Sequence, residues 1–65
     1  MLSREALIYA LIDSFNRAGI EIVKTDVYEK KIYLIIPKGI EVERLKNLVR
    51  FTYGEQMRVF VKEKA

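Results

Sequence analysis

Basic and aromatic side chains alternate in two segments of the sequence. In "RVFVKE" (58–63), Phe60 lies between Arg58 and Lys62, and in "KIYLII" (31–36), Tyr33 follows Lys31 at the same spacing. In an extended strand, residues two positions apart share one face, so each segment presents an aromatic ring beside positive charges. Aromatic rings stack on nucleic-acid bases, while lysine and arginine contact phosphates. The spacing therefore predicts a surface for single-stranded nucleic acid, formed by Lys31, Tyr33, Arg58, Phe60 and Lys62.

The same segments contain more apolar surface than nucleic-acid binding needs. Ile35 follows Tyr33 by two positions, and five apolar residues run without interruption over 32–36. An uncovered apolar patch on a small protein is typical of an interaction surface. We therefore predict that this face is used for self-association, as a homodimer interface through Tyr33, Ile35 and Phe60 with the flanking charges pairing across it. Nucleic-acid binding competes for the same face, and the two uses can coexist if the chain dimerises elsewhere.

Side chains suited to catalysis or metal binding are few. The chain has no histidine and no cysteine, which removes the usual general base near neutral pH, the thiolate nucleophile and the common zinc ligands. Ser3 is placed to cap a helix, and the two aspartates, Asp13 and Asp26, belong to different elements. We therefore predict that the protein is not an enzyme and has no catalytic residues, metal or cofactor.

The length of 65 residues corresponds to one domain, residues 1–65. A chain this short buries only about 60% of its unfolded surface, and without disulfides it tends to need a partner subunit. Hydrophobic residues make up 51% of the chain, which favours a homodimer. Twelve Lys and Arg against nine Asp and Glu give a net charge of +3, which is compatible with a polyanionic partner.

Composition also bears on source and compartment. Asparagine and glutamine are scarce while lysine, glutamate, isoleucine and valine are abundant, a bias seen in proteins of thermophiles. No apolar run approaches the roughly 18 residues of a membrane-spanning helix. The apolar "ALIYALI" (6–12) lies between charged residues, unlike a signal peptide. We expect a cytoplasmic protein without a membrane partner.

Hydrophobic spacing divides the chain into five elements. Helices are predicted over 4–18 and 41–52, with Ser3 as the first N-cap, Gly19 just after the first helix and Gly54 ending the second. Strands are predicted over 20–29, 31–37 and 56–64, the first two joined by a turn at 29–31. The order α-β-β-α-β predicts an α+β two-layer sandwich. A hairpin and a β-α-β crossover form its three-stranded sheet, with two helices on one face.

This order resembles a ferredoxin-like unit without its first strand, and a KH-type RNA-binding domain lacking one helix. The GxxG clamp of the KH family is absent, since Gly39 and Gly54 stand alone, so the resemblance extends to topology only. In the ferredoxin-like arrangement, the missing strand lies between the second and third strands of this chain. Two alternatives follow: the three strands pair directly, or a partner chain supplies a strand at the gap or at an edge.

Alternation assigns the side chains to the two faces of the sheet. The face toward the helices is predicted to carry Val23, Thr25, Val27, Ile32, Leu34, Ile36, Met57, Val59 and Val61. The second helix is predicted to turn Val42, Leu45, Leu48, Val49 and Thr52 inward. The opposite face carries Lys24, Asp26 and Tyr28 in addition to the predicted interface residues. Because both helices lie on the first face, the opposite face has no cover within the chain.

These patterns predict a small homo-oligomeric interaction module that binds nucleic acid through a basic and aromatic sheet face. A protein–protein adaptor or structural protein without nucleic-acid binding is the alternative. The basic residues Lys38, Arg44, Lys46 and Arg50 on the second helix are interpreted as a solvated helix face offset by Glu43, with a contact surface for duplex nucleic acid as the alternative.

Overall fold

The computed structural model describes residues 3–65. It contains α1 (Arg4–Arg17), β1 (Glu21–Asp26), β2 (Lys31–Ile36), α2 (Val42–Tyr53) and β3 (Arg58–Glu63). The order is α-β-β-α-β, with two helices and one open three-stranded mixed sheet. The predicted α+β fold is therefore confirmed. Within residues 3–65, neither helix has the length and apolar character that a membrane crossing requires.

Local sequence signals set both ends of α1. Ser3 Oγ accepts a hydrogen bond from the Ala6 amide at 3.1 Å, which satisfies one of the donors that a helix start leaves open. At the other end, the Ile20 amide donates to the Phe15 carbonyl at 2.8 Å, and Gly19 has a left-handed φ of +76°. Because glycine adopts this conformation without a Cβ clash, the chain turns directly from α1 into β1.

The sheet order is β1-β2-β3, with β1 antiparallel to β2 and β2 parallel to β3. The β2–β3 ladder runs without interruption from the pair Lys31–Arg58 to the pair Ile36–Glu63. Direct pairing leaves no gap for a strand from another chain between β2 and β3, while a partner strand at an outer edge stays a prediction. Within residues 3–65, the outer edges of β1 and β3 have no pairing partner.

Strand β1 contains a β-bulge that the sequence alternation did not predict. Ile22 pairs with Leu34 and Lys24 pairs with Tyr33, so Val23 is an extra residue between two adjacent pairs. The bulge shifts the alternation by one position. As a result, Ile22 packs against the core and Val23 is 54% exposed. The predicted inward orientation of Val23 is therefore wrong.

The β1–β2 turn spans residues 27–30 rather than the predicted 29–31. Asp26 Oδ1 accepts a hydrogen bond from the Glu29 amide at 2.9 Å, a contact that stabilises turns of this kind. Lys30 then takes a left-handed φ of +55°. Because the turn begins early, Val27 lies in it and is exposed, contrary to its predicted place in the core.

The hydrophobic core lies between the two helices and one face of the sheet. Its buried members are Leu11, Phe15, Ile20, Ile32, Leu34, Ile36, Leu45, Val49, Met57 and Val59. Leu48 is the exception in the predicted inner stripe of α2, because it is 45% exposed. It lies about 100° around the helix from Val49, and borders a groove between the helices instead.

Candidate functional site

Strand register places the side chains of the uncovered sheet face in three rows. Across β1, β2 and β3, the rows are Asp26–Lys31–Arg58, Lys24–Tyr33–Phe60 and Glu21–Ile35–Lys62. We call this surface the open face. It contains every residue predicted for nucleic-acid binding or for a dimer interface, namely Lys31, Tyr33, Ile35, Arg58, Phe60 and Lys62. Tyr28, predicted for the same face, lies instead in the turn at 27–30 and is almost fully exposed.

Tyr33 and Phe60 form the centre of the open face. Their rings stack with a centroid distance of 5.0 Å and an interplanar angle of 15°. The geometry follows from the β2–β3 ladder, in which these residues are direct partners and the strands lie about 4.8 Å apart. Tyr33 is 36% exposed and Phe60 is 43% exposed. Each ring covers one side of the other, and both side chains remain partly exposed.

Two cations of the open face are held by the β1–β2 turn. Lys31 Nζ lies 3.6 Å from a carboxylate oxygen of Glu29. Arg58 Nη2 donates a hydrogen bond to the Glu29 backbone carbonyl at 3.2 Å and lies 4.0 Å from its carboxylate. Ion pairs as exposed as these contribute at most about 1 kcal/mol. Lys31 and Arg58 therefore help to attach the turn to the sheet, but a stronger anion can compete for them.

Lys24 and Lys62 flank the aromatic pair and form no ion pair within residues 3–65. Lys24 is the register partner of Tyr33, while Lys62 follows Phe60 by two positions on β3. Lys24 was not among the residues predicted to bind nucleic acid, although the alternation of β1 had assigned it to this face. The alternation of β1 was therefore the signal that could have added Lys24 to the predicted binding residues.

The basic residues of α2 do not form a single surface. Arg44 and Lys46 are two positions apart, which places them about 200° apart around the helix axis. Arg50 Nε donates to the Met57 carbonyl at 3.4 Å, so its guanidinium is turned toward the segment before β3. The alternative contact surface for duplex nucleic acid is therefore not assembled on one side of the helix.

The chemistry available on the open face is stacking, apolar contact and positive charge.

Burial raises the pKa of Tyr53, at the end of α2, above its ordinary value of 10.0, and a side-chain hydrogen bond with Thr25 opposes that shift. This phenol therefore stays protonated at neutral pH. Residues 3–65 contain no group of three or more His, Cys, Asp and Glu side chains placed to hold a metal ion.

Comparisons with protein-family models, with characterised proteins and with solved structures found no match to this chain. The fold and the open face define a small α+β domain with one uncovered sheet face. Its functional assignment rests on the geometry of that face.

Proposed function

We propose that this protein is a binding module that holds single-stranded nucleic acid on its open face. The stacked and exposed pair of Tyr33 and Phe60 is the observation that carries the proposal. Stacking of a base on an aromatic side chain contributes about 1–3 kcal/mol and depends little on base identity. The proposed activity is therefore binding with little sequence preference.

The aromatic pair offers one stacking position on each of its two outer sides. On the β1 side, the outer side of Tyr33 lies toward Lys24, its register partner. On the other side, the outer side of Phe60 lies toward the outer edge of β3. A strand that crosses the sheet roughly perpendicular to the β-strands places one base on each side of the pair.

Positive charge around the pair supplies contacts for phosphates. Lys24 and Lys62 have no ion-pair partner in residues 3–65, and Lys31 and Arg58 are held only through exposed contacts with Glu29. Each phosphate contact to a single strand changes the slope of log K against log salt concentration by about −0.7. Two to four contacts give a slope of roughly −1.4 to −2.8.

A second copy of the chain is the other candidate occupant of the open face. The acids Glu21 and Asp26 lie on β1, and the bases Arg58 and Lys62 lie on β3. A two-fold axis parallel to the strands sets β1 over β3 of the second copy, which brings acids opposite bases. The apolar centre is limited to Tyr33, Ile35 and Phe60, whereas a stable interface buries about 800 Å² on each partner. Nucleic acid is therefore the favoured occupant.

Fluorescence anisotropy of a short labelled oligothymidine, titrated with the protein at low salt, tests the proposal. Phe60→Ala is expected to weaken binding about tenfold, because it removes one stacking surface. The matched control is Tyr9→Ala, which removes a more exposed aromatic ring (71%) from α1 and is expected to bind as the wild type does.

Two results would contradict the proposal. One is a wild-type protein that does not bind the oligonucleotide at low salt. The other is equal binding by Phe60→Ala and Tyr9→Ala. A wild-type dimer that Phe60→Glu converts to a monomer, in the absence of oligonucleotide binding, would favour the face-to-face dimer instead.

A further inference from the structure

The helix layer presents a second exposed apolar surface, on the side of the molecule opposite the open face. Leu48 is 45% exposed and Phe51 is 75% exposed, more than either aromatic residue of the open face. Both border an open groove of about 770 Å³ between α1 and α2. Its lining includes the buried core residues Phe15, Ile20 and Leu45. An apolar groove beside a projecting phenylalanine is typical of a docking surface.

A charged residue lies at each end of this surface. We call the set formed by Arg44, Leu48, Phe51 and Glu55 the α2 stripe. At about 100° per residue, the three helical members lie within roughly 60° of one another around α2. Glu55 follows the helix and lines a surface depression together with Asn47, Arg50 and Phe51, so it lies beside the Phe51 end of the stripe. The stripe therefore has a cation at one end, apolar side chains in the middle and an anion at the other end.

Two copies of the α2 stripe are complementary to each other when they lie antiparallel. When two copies of α2 lie antiparallel, with a two-fold axis between Val49 and Arg50, Leu48 faces Phe51 of the second copy. In the same register, Arg44 faces Glu55 of the second copy. From this self-complementarity we infer that the α2 stripe is a homodimer interface. Each contact occurs twice in such an interface, so ion pairs flank the apolar centre on both sides.

Other arrangements fit the same surface less well. A parallel arrangement sets Arg44 beside Arg44 and Glu55 beside Glu55, and like charges repel. The groove and the neighbouring depression are lined by two acids, Glu41 and Glu55, and by two bases, Arg44 and Arg50, so this surface has no excess of positive charge to favour a polyanion.

A dimer through the α2 stripe meets two requirements of the chain. It covers the most exposed apolar side chains of α2, and it supplies the partner subunit that a small domain without disulfides tends to need. It also leaves both open faces directed outward. The inference does not depend on the proposed function; if both hold, the dimer has two nucleic-acid sites and binds long strands with avidity.

Sedimentation equilibrium of Arg44→Glu, Glu55→Arg and the double variant tests this interface. Each single reversal sets like charges opposite each other, and is expected to lower the dimer association constant about tenfold to a hundredfold. The double variant restores opposite charges, and its association constant is expected to return to within about threefold of the wild-type value. The helix dipole favours both new charges, so loss of the monomer fold is not expected, and circular dichroism checks this.

Two further variants serve as control and as confirmation. Tyr9→Glu places a charge on α1 at a position that does not line the groove, and is expected to dimerise as the wild type does. Phe51→Glu is expected to give a monomer that still binds the short oligonucleotide, which separates this interface from the proposed function.

Three outcomes overturn the inference. The first is a wild-type protein that stays monomeric up to millimolar concentration. The second is single charge reversals that dimerise as strongly as the wild type. The third is a dimer that is lost in Phe60→Glu and kept in Phe51→Glu, which places the interface on the open face.

Discussion

The open face and the α2 stripe both expose apolar side chains, but their charges are arranged differently. On the open face, Lys24, Lys31, Arg58 and Lys62 surround the aromatic pair, and the acids lie on β1 and in the turn. On the α2 stripe, one cation and one anion lie at opposite ends of the apolar residues. Excess positive charge favours a polyanion. A cation and an anion at opposite ends favour a second copy, because an antiparallel pair brings each cation opposite an anion. In both proposals, an exposed apolar patch is the binding surface and the charges around it distinguish the partner.

The two surfaces also differ in how far they are already formed. Tyr33 and Phe60 are direct partners in the β2–β3 ladder and stack on each other, so each ring already has a packing partner. Phe51 projects from α2 with three quarters of its surface exposed (75%), and a partner must order it. Ordering a side chain at an interface costs about 0.5–1.5 kcal/mol. The open face is therefore the more preorganised of the two.

The double substitution Tyr33→Ala and Phe60→Ala is expected to give the largest difference between oligonucleotide binding on the open face and dimerisation through the α2 stripe. Loss of both stacking positions is expected to weaken oligonucleotide binding at least about thirtyfold. The dimer association constant is expected to stay unchanged, because neither residue lies on the α2 stripe. Anisotropy and sedimentation of the same preparation measure the two effects. A variant that loses the dimer as well would show that one surface serves both roles.

A smaller effect is expected from Lys24→Gln and Lys62→Gln, which remove charge from the open face and keep its rings. Each is expected to flatten the salt slope of oligonucleotide binding by about 0.7, since one phosphate contact is lost. Lys46→Gln on α2 is the matched control and is expected to leave the slope as it is. A slope that none of the three substitutions changes would mean that these lysines do not contact phosphates.

Local spacing was sufficient to predict the element order and the ends of α1. Ser3 and Gly19 act through contacts within a few residues, so their roles are visible in the sequence. The placement of Tyr33 and Phe60 on one uncovered face was also predictable, because it depends only on alternation within unbroken strands. Their use in binding stays a prediction.

The wrong predictions concern side chains whose orientation or contacts depend on strand register or on tertiary packing. No residue in "EIVKT" marks Val23 as the extra member of a bulge, and the exposure of Leu48 depends on where α1 packs beside α2. The contacts of Lys31 and Arg58 with Glu29 depend on the turn that brings β3 beside it. Spacing along the chain could not show that one carboxylate partly neutralises two cations of the open face.

That carboxylate gives the smallest expected effect, through Glu29→Gln. The backbone contacts of the turn, from the Arg58 side chain to the Glu29 carbonyl and from the Glu29 amide to Asp26, are retained. The substitution therefore lowers the free energy of unfolding by at most about 1 kcal/mol. Lys31 and Arg58 become available to phosphates, so oligonucleotide affinity is expected to rise about twofold to threefold at low salt, with no change in the dimer association constant.

Glu43→Gln on α2 removes the same charge from the helix layer, and separates this local effect from that of net charge. Anisotropy titrations of both variants at two salt concentrations give the measurement. If Glu29→Gln weakened binding instead, the carboxylate would be holding Lys31 and Arg58 in position for the ligand. In that case the turn would belong to the binding surface. The open face, like the α2 stripe in the proposed dimer, would then need a carboxylate for binding.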